Sequence, residues 1–103
     1  MAIYRSHFKA NPVLWPTDPK EKLAISEGAF QGADGLLAAG AMQEICWVSS
    51  SEGYARVEAN SAAGALAICA MFFPMFTQEI QELVPWNVAK EAILGAVRQA
   101  VEQ

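Results

Sequence analysis

With 103 residues, the chain has room for one domain and one hydrophobic core, not two. A formal net charge of −4, with only seven basic residues scattered along the sequence, excludes a nucleic-acid partner, which needs cations arrayed along phosphates. The chain is 53% hydrophobic and 17% charged, against about 45–50% and 25% for soluble domains. So short a chain cannot hold a large interior, and the apolar excess therefore favours a surface covered by a second subunit.

Residues 2–9 alternate as a strand, with Tyr4, Ser6 and Phe8 on one side and Ile3, Arg5, His7 and Lys9 on the other. A loop with Pro12 and Pro16 follows. Asp18-Pro19-Lys20-Glu21 then reads as a helix start, with Asp18 as cap, proline in the first turn and Glu21 three residues after the cap. Leu23, Phe30 and Leu37 recur at heptad spacing and predict the buried face. Gly28, Gly32 and Gly35 each cost about 1 kcal/mol relative to alanine, and predict that the helix stops or breaks between Gly28 and Gly35.

Residues 42–49 read as a second strand, and residues 49–53 as a polar turn closing on Gly53. The returning strand, 54–59, sets Tyr54, Arg56 and Glu58 opposite Ala55, Val57 and Ala59. Asn60 or Ser61 caps a helix over 62–72, and Pro74 ends it. On propensity alone, residues 77–84 favour helix. Asn87 caps a final amphipathic helix with Ala89, Ala92, Ile93, Ala96, Val97 and Ala100 as its apolar stripe. No linker or repeat divides the chain, so residues 1–103 form a single domain.

Cys46 and Cys69 lie in apolar runs and read as buried thiols; a disulfide or a reactive thiol is the alternative. The first residues lack the order of a signal peptide. The longest apolar run, 62–76, is shorter than the ~18 residues of a membrane span. These features predict a cytoplasmic protein without a membrane partner. One histidine and two distant cysteines offer no zinc spacing, and no phosphate loop or nucleophile elbow is present, so neither a metal nor a cofactor is expected.

His7-Phe8-Lys9, Cys46-Trp47-Val48 and Val57-Glu58-Ala59 before the Asn60-Ser61 cap resemble a family of short, uncharacterised dimeric α+β-barrel proteins. Phe72-Phe73-Pro74, Glu79-Ile80 and Leu83-Val84-Pro85 resemble the end of that family and, more distantly, of the muconolactone isomerases. The resemblance spans Ile3 to Trp86; the glycine-rich first helix and the C-terminal helix depart from it. It implies that 77–84 is a strand, and with it an α+β, ferredoxin-like βαββαβ fold with a four-stranded antiparallel sheet and an extra C-terminal helix. It also implies a homodimer in which the open sheet face packs against the partner's sheet to enclose a cleft.

Strand parity then places Ile3, Arg5 and His7, Tyr54, Arg56 and Glu58, and Ile45 and Trp47 on the barrel side. His7, Trp47, Tyr54 and Arg56 are the candidate site: His7 the catalytic base, Trp47 and Tyr54 aromatic walls, and Arg56 an anion clamp. Such a set suits an aromatic or unsaturated acid. The plainer reading makes His7 a rim residue, Arg56 a partner of Glu58 or Glu44, and Trp47 and Tyr54 packing residues. Three functions follow: a binder of a small apolar or aromatic ligand in the barrel cleft; a cofactor-free isomerase or monooxygenase of aromatic or lactone metabolites; or a purely structural dimer.

Overall fold

The computed structural model describes residues 2–102, and its first and third strands follow the alternation in their sequences. The order is β1 (Ala2–Ala10), α1 (Pro19–Ala38), β2 (Met42–Trp47), β3 (Glu52–Ala59), α2 (Ala62–Cys69), a 3-10 turn (Ala70–Phe72), β4 (Phe76–Leu83) and α3 (Trp86–Glu102). The strands form one antiparallel sheet in the order β2-β3-β1-β4. This is the ferredoxin-like arrangement with an added C-terminal helix. Residues 76–83 are extended despite their helical composition, because pairing along the whole of β1 supplies ladder bonds that outweigh local preference.

Helices α1 and α2 lie on one face of the sheet. Tyr4, Ser6 and Phe8 of β1, and Ala55, Val57 and Ala59 of β3, point into that layer and are buried. Val57, Ala65 and Cys69 are wholly enclosed and form the centre of the core. Burying a side chain such as Val57 contributes about 1.5–3 kcal/mol. The opposite face, carrying Arg5, His7, Tyr54 and Arg56, is covered by no other element of the described chain.

The ends of α1 follow their sequence signals. The Asp18 carboxylate accepts the Glu21 amide at 3.2 Å. At the other end Gly40 adopts φ +80°, while the amides of Gly40 and Ala41 donate to the carbonyls of Leu37 and Leu36. That pair of bonds closes a helix through a left-handed glycine. Between these ends α1 is unbroken: the three internal glycines do not terminate it. Gly32 is held by a close approach, since a Cβ there would meet Met71 Sδ at 2.8 Å. Of the expected buried face, Phe30 and Leu37 turn towards the sheet but stay partly exposed beside the space beneath α1, Leu23 is exposed, and Leu36 makes the contact with the core.

Two other boundaries differ from expectation. α2 gives way to the 3-10 turn at Ala70, after Ser61 has capped its start by accepting the Gly64 amide at 3.1 Å. Asn87 is not a cap, because α3 already begins at Trp86. No helix among the described residues is long and apolar enough to cross a membrane.

Candidate functional site

A β-bulge in β2 decides which side chains share a face. Met42 pairs with Val57 and Glu44 with Arg56, so the ladder shifts by one residue at Gln43. An extra residue reverses the parity of everything after it. Met42 before the bulge, and Ile45 and Trp47 after it, consequently all face the helices. The expectation that Ile45 and Trp47 face the barrel side is therefore corrected: Ile45 packs against the core, and Trp47 lies across the sheet from His7, Tyr54 and Arg56.

On the helix side Trp47 meets other rings edge to face. Its centroid is 4.9 Å from Phe8, 6.1 Å from Phe30 and 6.2 Å from Phe76. Phe76 in turn contacts Phe8 at 5.9 Å and Trp15 at 5.4 Å. Each such pair contributes about 0.5–1.5 kcal/mol beyond area burial. Opposite the rings, α1 presents Ala29 and Ala33, whose short side chains do not reach the sheet. The gap is a cavity of about 410 Å³, walled by Phe8, Phe30, Trp47, Phe72 and Phe76 and open at its rim.

Among the described residues that line it, Asp34 on α1 and Gln78 on β4 are polar, beside the indole N–H of Trp47. The Gln78 amide oxygen accepts from the hydroxyl of the fully buried Ser6, which fixes that side chain. Among the described residues the lining holds no lysine or arginine. Ser6 also bonds to Cys69, yet burial dominates there and pushes the thiol above its ordinary value of 9.0.

The open face brings together three of the four candidate residues. His7 sits opposite Tyr54 in the β1–β3 ladder, and Arg5 opposite Arg56. His7 Nε2 donates to Glu52 at 2.6 Å, and its Nδ1 lies 3.8 Å from the exposed Glu79 carboxylate. Arg56 lies 3.9 Å from Glu44, and Arg5 stacks over the Tyr54 ring at 5.1 Å. The Tyr54 phenol is raised above 10.0 by its hydrogen bond to Cys46, then by the charge of that thiol; Arg5 acts weakly the other way. These half-exposed ion pairs each contribute little to stability. Arg56 Nε is buried without a hydrogen-bond partner.

Sequence reasoning missed Phe8, Phe30, Phe72 and Phe76 as cavity walls because each also fits an ordinary core. The signal that could have found them is the contrast between bulky rings on the strands and small residues along α1. Cys46 and Cys69 are both free thiols. Among the described residues no cluster of three His, Cys, Asp or Glu side chains could hold a metal ion. No protein-family model matches the chain, and no curated protein matches its sequence.

Proposed function

We propose that the protein is a homodimer of dimeric α+β-barrel type, each protomer binding a small, neutral, aromatic or apolar molecule in the cavity beneath α1. The observation that carries the reading is the ring-lined space of about 410 Å³ with one fixed amide and one rim carboxylate. Apolar cavities with a few convergent polar groups are the usual form of small-molecule sites. The Asp34 carboxylate and the lack of a lining cation disfavour carboxylic acids, so a neutral ligand replaces the acid suggested by Arg56. That arginine lies on the other face of the sheet, as does His7. A reaction using His7 as base would thus take place on the open face, away from the cavity, and binding without turnover is the better-supported reading.

An aromatic ligand burying ~200 Å² of apolar surface gains roughly 5 kcal/mol before the losses of association. Dissociation constants no tighter than about 0.2 mM, reaching into the millimolar range, follow. Calorimetric titration with indole, and with indole-3-carboxylate as its charged counterpart, tests the reading. Indole binds in this range and the carboxylate about tenfold more weakly. Ala33→Phe fills the cavity and abolishes both, with the far-ultraviolet spectrum unchanged. Equal binding by the wild type and Ala33→Phe would overturn it.

A further inference from the structure

The cavity beneath α1 has a neighbour. A second space of about 270 Å³ lies under the N-terminal half of the helix, and Ala29, Phe72 and Phe76 line both. Ala24, Ile25 and Gly28 roof the second space, Ala33 and Leu37 the first, so the two follow one another along one side of α1. From Ala24 to Leu37 the helix runs about 20 Å at 1.5 Å per residue. None of its described residues is fully buried, which suits a helix that roofs open space rather than core.

The two spaces differ in chemistry. The first holds Asp34, Gln78 and the indole N–H of Trp47. Among the described residues, those lining the second are all apolar, with Met71, Phe73 and Met75 beside the shared rings. Within the first space Gln78 stands two residues along β4 from Phe76, about 6–7 Å at 3.3 Å per residue. Its amide oxygen is taken by the Ser6 hydroxyl, which leaves its NH2 to donate to a ligand. At about 1.3 Å per methylene, five or six carbons lead from a head group at Gln78 past Phe76 to the shared border.

We infer that the ligand is a single-chain amphiphile, with an uncharged hydrogen-bonding head at Gln78 and an unbranched alkyl tail that passes Phe76 into the second space. This rests on the reading of the cavity as a ligand site and gives that ligand its shape. Alone, the second space falls below the roughly 300–1,000 Å³ of self-sufficient small-molecule sites. It also has no polar side chain among the described residues to orient a ligand of its own. As the far end of a longer site it needs neither. A flat ring system such as indole occupies the first space only, and leaves the second unused.

Calorimetric titration of the full-length chain with 1-hexanol and 1-decanol, repeated on Gly28→Phe, tests the inference. Each methylene that enters the second space tightens binding about two- to fourfold, so decanol binds at least roughly tenfold more tightly than hexanol. A Cβ at Gly28 meets nothing within 4 Å, and phenylalanine suits a helix better than glycine, so the variant folds. Its ring fills the second space: decanol falls to the affinity of hexanol, while hexanol and indole bind as in the wild type. Methyl-labelled methionine locates the tail. Decanol shifts the resonances of Met71 and Met75, which line the second space, whereas hexanol shifts only that of Met42 in the first. Equal affinities for hexanol and decanol in the wild type, with indole still bound, overturn this inference alone. A gain for decanol that leaves Met71 and Met75 unmoved also overturns it, because the tail then leaves through the rim. A wild type that binds neither indole nor either alcohol overturns the reading of the cavity as well.

Discussion

Replacing Gly53 with alanine should destabilise the protein, whereas the same replacement at Gly35 should stabilise it. Gly53 is buried where β3 leaves the hairpin, opposite both Phe8 and Trp47. A Cβ there would stand 2.3 Å from the Cys46 carbonyl oxygen, 2.7 Å from Phe8 Cζ and 3.0 Å from Trp47 Cα. Two of these obstacles are backbone, so relief requires β2 and β3 to separate by roughly 1 Å. Overpacking of this kind costs about 1–3 kcal/mol, and the stiffer unfolded chain returns only about 0.4–1 kcal/mol. The net loss is about 1–2 kcal/mol, or roughly 4–15 °C in Tm for a domain of this size. At Gly35 a Cβ meets nothing within 4 Å, and alanine in the last turn of α1 gains somewhat less than the about 1 kcal/mol of a helix interior. Equilibrium urea unfolding at constant m reads both effects. A Gly53→Ala variant as stable as the wild type would refute the tight β2–β3 approach that holds Trp47 in the cavity wall.

Three further outcomes follow from the site. Tyr54 titrates above 10.0, and Cys46→Ala should lower it towards that value, followed by phenolate absorbance in a Tyr4→Phe background. For Cys69 the folded value lies above the unfolded 9.0, so stability is fully present below pH 9 and falls as pH rises from there towards the folded value. Cys69→Ala should flatten that alkaline decline in denaturation curves, and an unchanged slope would contradict the assignment. Asp34→Asn should tighten indole-3-carboxylate about threefold at low salt while leaving indole unchanged, measured by calorimetry. Parallel changes for both ligands would remove Asp34 from the rim.

β1 and β3 were legible because strict alternation with a single buried face leaves one reading, and the structure keeps Tyr4, Phe8, Val57 and Ala59 inside as that alternation requires. β4 was not legible from propensity: Gln78, Glu79, Gln81 and Glu82 prefer helix, and only its long-range pairing with β1 makes the segment extended. Trp47 was misplaced because a bulge at Gln43 has no local signature in a strand of mixed composition, and one extra residue turns every later side chain over. The glycines of α1 misled in a different way. Their penalties are real, but Asp18 and Gly40 fix both ends of the helix, and the small residues between them make the cavity. The face shared by His7, Tyr54 and Arg56 followed from parity, and Glu44 was one of the two partners expected for Arg56; the pairing of His7 with Glu52 did not follow, because side-chain pairing depends on register.

The most direct test of ligand binding beneath α1 is the set of intermolecular nuclear Overhauser contacts from bound indole to methyl-labelled protein. The account predicts contacts to the methyls of Ala29, Ala33, Leu37 and Ala55, which line the cavity, and none to Ile3 or Leu83. Contacts confined to Ile3 and Leu83, which share the open face with His7, would contradict it and return the site to the other side of the sheet.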